Sequence, residues 1–138
     1  LGDVYKRQDL KGLYSYKGRV PEATKADFQT YKKIKATGIY GTVRVPAAKI
    51  DISTLTLDVA HINERRHGVT QEEAVSYIKN AAFSLKRRHW TGETFLNYYS
   101  EEGASYVRTS DNVIRTSFKK DEFDKKTKSA MEVLKNGK

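Results

Sequence analysis

Between residues 81 and 120 the chain changes period, and that change limits the fold more than any other feature. AAFSLKR, ETFLNYYS, GASYVRT and NVIRTSFKK alternate or carry β-branched and aromatic residues, the pattern of half-buried strands. Turn-forming triplets separate them: TGE at 91–93, EEG at 101–103 and SDN at 110–112. Links this short join antiparallel neighbours, because a parallel return needs a crossover of about a dozen residues or more. The stretch therefore predicts a four-stranded antiparallel meander.

Helical signals flank it. Thr70 with Glu73 three residues on is a capping box, opening TQEEAVSYIKNAA with Ala74, Tyr77 or Ile78 and Ala81 as its buried stripe. LDVAHINERRHG, residues 57–68, reads as a helix stopped by Gly68, after a turn begun by Asp51 with Ser53 or Thr54. DEFDKKTKSAMEVLK predicts a last helix from about Asp121 to Lys135, with Phe123, Thr127, Ala130 or Met131 and Leu134 inward and Gly137 at its end. The expectation is an α+β fold: two N-terminal helices packed on the meander, with a C-terminal helix.

Residues 1–48 are expected to be a basic, partly helical linker or the end of a preceding region, and 49–138 the folded domain. KADFQTYKKIKATG gives one short helix with Phe28, Tyr31 and Ile34 on one face and Gly38 as its cap; IYGTVRVPA reads as an edge strand or extended linker ending at Pro46. The opening LGDVYKRQ resembles a translated sequencing-adapter end, so Leu1 is not expected to be a true start. The net charge is +9, which favours polyanionic partners. Residues 1–49 hold 11 Lys and Arg against 4 Asp and Glu, so the excess lies mostly outside the expected domain and equally suits a solvated linker. With no cysteine, disulfides and thiolate chemistry are excluded. No apolar run approaches a membrane span, and no secretory apolar segment opens the chain.

AHINERRHG, residues 60–68, holds two of the three histidines, His61 and His67, with Arg65 and Arg66 between them. Two imidazoles can supply a general base and a general acid, and guanidinium forks suit phosphate. Six residues on a helix is about 600°, so the rings stand roughly 120° apart unless the helix ends at Arg66 and His67 swings out. The helix dipole alone also favours a histidine before a cap glycine. The pair lacks i, i+4 metal spacing and no third ligand is evident, so no metal or cofactor is expected. His89, beside Trp90 in a turn, reads as surface or rim. On the strands, Arg108–Thr109 recurs as Arg115–Thr116, and arginines interleave with Tyr98, Tyr99, Tyr106 and Phe118, the composition of a single-stranded RNA platform. Of Tyr98 and Tyr99, one is expected to point into the core and one out. The same alternation also arises when one sheet face is simply core and the arginines are solubility charges.

HINERRHGVTQEEAVSYIKNA, FLNYYSEEGASYV and NVIRTSFKKDEFD, in that order, resemble the C-terminal module of tailed-phage minor head (minor capsid, head-morphogenesis) proteins. That module is grouped with phage nuclease-like domains akin to barnase, EndoU, colicin-type RNases and RelE. The resemblance spans roughly residues 49–136 and implies metal-independent RNA cleavage. Carried onto this chain, the implied catalytic residues are His61, His67, Arg66, Arg115, Thr116 and Tyr98, with Arg65, Ser100, Arg108, Ser117 and Lys119 binding substrate. One histidine, His61 for preference, takes the 2′-hydroxyl proton; His67 or Tyr98 protonates the leaving 5′-oxygen; Arg66 and Arg115 hold the phosphate and Thr116 orients it. The implied partners are RNA, capsid or portal proteins through a preceding region, and an immunity protein, but no membrane; the implied location is the virion or the host cytoplasm. The rival expectation is a non-catalytic virion interaction or nucleic-acid-binding module.

Overall fold

The computed structural model describes the backbone of residues 2–58 and 69–136 and the side chains of residues 11–58 and 69–134. The four expected strands are present: β3 (Phe83–Arg88), β4 (Thr94–Tyr99), β5 (Gly103–Arg108) and β6 (Val113–Lys119), each antiparallel to the next. Two short strands widen the sheet to six, in the order β1-β3-β4-β5-β6-β2. Strand β1 (Thr42–Arg44) pairs antiparallel with β3, and β2 (Thr56–Leu57) pairs parallel with β6. The fold is α+β, as its alternation and caps predict, with a mixed sheet rather than a pure meander.

Helix α3 (Gln71–Lys79) starts where its sequence says it should. Thr70 Oγ1 accepts from the Glu73 amide and Glu73 Oε1 accepts from the Thr70 amide, both at 3.1 Å. These reciprocal bonds satisfy two otherwise orphaned helix donors. Helix α2 (Lys25–Ala36) has the same device in Thr24 and Asp27. The C-terminal helix, α4 (Lys125–Asn136), begins later than expected because Asp124 Oδ1 accepts from the Thr127 amide at 2.8 Å. Residues Lys120–Glu122 instead form a 3-10 turn before it.

Leu57, expected inside a helix, lies in β2, which fills the edge beside the start of β6. There the Thr56 amide donates to Asn112 O and the Asp58 amide to Ile114 O. The rest of the expected helix, residues 59–68, lies outside the described residues. Asp51 begins the expected turn, its Oδ1 accepting from the Ser53 amide at 3.0 Å.

Helices pack on both faces of the sheet. Ala74 and Ile78 of α3 pack on Tyr98, Val107 and Ile114. On the opposite face Ile34 of α2 and Ala130 of α4 pack on Phe83, Leu85, Tyr99 and Ala104. Residues before the boundary expected at 48 thus contribute a strand and core side chains to the sheet. Helix α1 (Gly2–Arg19) carries no strong apolar pattern, yet Leu13 and Tyr16 bury with Val20 and Phe28. The Tyr16 hydroxyl locks this cluster to the end of β1, donating to Val45 O at 2.8 Å and accepting from the Val45 amide at 2.6 Å. No helix among the described residues is long and apolar enough to cross a membrane.

Candidate functional site

The helices leave part of one sheet face open. Strand alternation puts Phe83, Leu85 and Arg87 of β3 on that face, beside Phe95, Asn97 and Tyr99 of β4. Helices α2 and α4 cover the Phe83, Leu85 and Tyr99 half. Over the other half lies a hollow of about 700 Å³, lined by Arg87, Asn97, Tyr106, Arg115 and Thr116, with His89 and Trp90 on the hairpin beside it.

A β-bulge shapes this hollow. Tyr106 opposes Thr116 and Val107 opposes Ile114, so Arg115 is the extra residue with no opposite number. Regular pleating would send Arg115 and Thr116 to opposite faces; the bulge lets both line one cavity. Arg115 Nη1 donates to Asp58 Oδ2 at 2.5 Å, so this guanidinium is held at the edge where β2 ends.

Asn97 is the anomaly of the site. It is 2 % exposed, and its Oδ1 has no hydrogen-bond partner among the described residues. Buried acceptors are almost always paired; this one has no accessible surface and stands as an unsatisfied group in the wall beneath the hollow. Burial raises the Tyr99 hydroxyl's pKa, opposed chiefly by its hydrogen bond with the Tyr106 hydroxyl at 3.1 Å.

The β3–β4 hairpin supplies the rim. Gly92, at φ 94°, permits the tight turn that closes on the 2.7 Å bond from the His89 amide to Glu93 O. Thr91 Oγ1 donates to Glu93 Oε1 at 3.0 Å and lies 3.0 Å from His89 Nδ1. The Thr91 amide also donates to Nδ1 at 3.4 Å, so this edge of the ring is held by Thr91 and Nε2 faces outward. The imidazole is also held by its ring neighbours Trp90, at 5.4 Å, and Phe95, at 6.0 Å. Trp90 is 89 % and Tyr40 66 % exposed, and the Arg87 guanidinium sits 5.0 Å over the Tyr40 ring. The mouth of the hollow therefore combines cations, exposed rings and one fixed imidazole.

Of the residues expected to act, the hollow brings together Arg115 and Thr116. His61, Arg65, Arg66 and His67 lie outside the described residues. Tyr98 is corrected to a core residue. It faces α3, its hydroxyl donates to Ala48 O at 2.8 Å, and burial pushes its pKa up to about 12. Helices pack on both faces here, so neither Tyr98 nor Tyr99 points outward; each is 1 % exposed.

Ser100 and Ser117 are likewise structural. Ser100 Oγ donates to Gly103 O and receives the Gly103 amide inside a buried hairpin turn. Ser117 Oγ is buried against Ser105 Oγ and Ala104 O under α3. Arg108 is spent on its own carboxylates: two bonds to Asp111, at 3.0 and 2.8 Å, and one to Glu93 at 3.2 Å. The bonds to Asp111 raise its pKa most and those to Glu93 add to this, against an opposing cost of burial. Lys119 is exposed at the far end of β6, roughly 13 Å along the strand from Arg115.

Residues that sequence reasoning left out are Arg87, Arg88 and Asn97. The signal for the first two was the run KRRHW at a hairpin turn; for Asn97 it was a polar residue on the inward phase of FLNYY. Among the described residues no three His, Cys, Asp or Glu side chains gather as a metal set. No protein-family model, curated protein or solved structure matches the chain.

Proposed function

We propose that this chain binds single-stranded RNA in the hollow on the β3–β6 face and cleaves its phosphodiester backbone with side-chain acid–base groups. The observation that carries this reading is the meeting of Arg115, Thr116 and Arg87 with the oriented His89 ring at one cavity. Exposed Trp90 and Tyr40 offer faces on which unpaired bases stack. Arg115 and Arg87 neutralise backbone phosphate and Thr116 donates to a phosphoryl oxygen; the His89 imidazole takes the 2′-hydroxyl proton as the 2′-oxygen attacks phosphorus and the P–O5′ bond breaks, and water protonates the leaving 5′-oxygen. This places the base on a histidine at the rim of the hollow; the sequence-derived pair, His61 and His67, lies outside the described residues. Attachment to a tailed-phage minor head protein, with capsid or portal partners and an immunity protein, rests on the sequence resemblance and belongs to the same proposal.

The test is RNA cleavage by the full chain in EDTA, beside His89→Ala, His61→Ala and Arg115→Ala variants. Cleavage lost in His89→Ala and Arg115→Ala supports the reading. Cleavage that persists in both removes the hollow as the active centre.

A binding module without catalysis is the second reading. One observation favours it: the carboxylate of Asp58 holds Arg115, the cation best placed for a phosphate. Salt-sensitive RNA binding with intact RNA recovered is its signature.

A further inference from the structure

The two arginines of the hollow lean to opposite edges of the sheet. The Arg87 stem lies against Gly41 beside β1, where an added Cβ would come within 2.8 Å of its Cγ, and its guanidinium sits 5.0 Å over the Tyr40 ring. Arg115 Nη1 donates to Asp58, which follows β2 at the other edge. Their strands, β3 and β6, stand three places apart in the sheet, which sets the two backbones about 14 Å from each other. Held this way, the two cations diverge and do not close on one phosphate. Both side chains are partly exposed, so each meets a ligand at its own end of the hollow. The Asp58 bond uses one donor of the Arg115 fork, and a guanidinium carries several more.

Neighbouring phosphates on one extended strand lie at about half that distance. Two phosphates with a third between them match it. Resting on the RNA-binding reading above, we infer that the hollow takes a single strand laid across the β-strands, with one phosphate on Arg115 and another, two linkages along, on Arg87. The ligand that fills it is a segment of about three nucleotides, and a mononucleotide fills one end. Exposed Trp90, on the hairpin between the two ends, offers its face to a base of that segment.

The chain has one tryptophan, Trp90, so its fluorescence reports on the hollow. The experiment titrates the full chain with 5′-phosphorylated 2′-O-methyl oligouridylates of one to five nucleotides. The methyl group blocks attack by the 2′-oxygen, so binding is read without cleavage. The mononucleotide and dinucleotide are expected to bind alike, the trinucleotide roughly tenfold tighter, and longer strands within about twofold of the trinucleotide. In Arg87→Gln and in Arg115→Gln the gain at three nucleotides is expected to vanish. Lys79→Gln removes the same charge from α3 on the other face and is expected to keep the gain. Should a variant fail to fold, the wild-type length series decides by itself. Equal affinity at every length, an even climb from one nucleotide to five, or a gain at three that survives Arg87→Gln overturns the inference and leaves the RNA-binding reading standing. No response at any length overturns the inference and the RNA-binding reading together.

Discussion

Arg115 and Asp58 stand 57 positions apart in sequence and meet through a 2.5 Å bond, with Arg115 the donor. The contact ties the bulge in β6 to the residue that follows β2. Both side chains are partly wet, so its contribution to stability is modest, about 0–1 kcal/mol. Its larger effect is on charge at the hollow, where the carboxylate competes with any phosphate for the same guanidinium.

Asp58→Asn is therefore expected to tighten RNA binding several-fold at low salt. Under the proposed reading it returns one cation to the backbone, so the slope of log K against log salt steepens by about 0.7 for a single strand. Fluorescence anisotropy across a salt series checks it. An unchanged slope would mean that Arg115 does not meet phosphate.

Arg108→Gln should behave oppositely. Its positive charge is already matched by Asp111 and Glu93, so removing it leaves two carboxylates without their cation at neighbouring hairpin ends. A loss of about 1 kcal/mol in urea unfolding is expected after allowance for solvent screening, with no change in the salt slope of RNA binding. A flattened slope would return Arg108 to the substrate-binding set.

At Gly103 the chain has no room for a methyl group. A Cβ there would lie 2.5 Å from the Tyr77 ring and 2.6 Å from Phe118 O, a backbone atom of the paired strand. Gly103→Ala is expected to destabilise by about 1–3 kcal/mol. Gly18→Ala, with nothing within 4 Å of the new methyl in helix α1, is the control and should gain about 0.5 kcal/mol. Thermal melts of the two variants separate them; equal midpoints would refute the packing of Tyr77 on β5.

Glu73 links acidity to the start of α3. The hydrogen bond from the Thr70 amide holds its carboxyl below the ordinary value of 4.5. A carboxyl depressed in the folded state gives stability above its unfolded pKa and loses it as pH falls through the folded one. The stability gap between wild type and Glu73→Gln is therefore expected to be constant near neutral pH and to shrink below about pH 4.5. Urea midpoints from pH 7 to 3 read this directly; a gap that widens in acid would reverse the sign.

Local signals carried the parts of the fold that are local. Thr70 with Glu73 marked α3, and three turn triplets marked the meander. Alternation in IYGTVRVPA offered β1 as an edge strand or linker, but its three residues did not name their partner; β2 has two residues and a partner 57 positions away, so no periodicity announces it. Leu13 and Tyr16 of α1 and Val20 just after it have helical spacing, but three residues among lysines and arginines make a faint stripe. The site was legible in the same uneven way. Arg115 and Thr116 stood out by repeating Arg108–Thr109, yet their common side comes from a bulge that sequence spacing does not reveal. Tyr98, Ser100 and Ser117 were misjudged for one reason: their hydroxyls close internal hydrogen bonds in a sheet with helices on both sides, rather than facing solvent. Asn97 looked like one polar residue among tyrosines until burial left its oxygen unmatched.

The two edge strands have a consequence for how the molecule is made. β1 and β2 precede every strand they pair with, whereas β3 to β6 pair mostly with the strand just synthesised. During translation the first half can settle only its own aromatic cluster around Tyr16 and Phe28, and its strand segments wait, unpaired, for the meander. The ribosome thus delivers the sheet's borders before its centre, and α4, which follows the meander, seals the face on which α2 has been waiting.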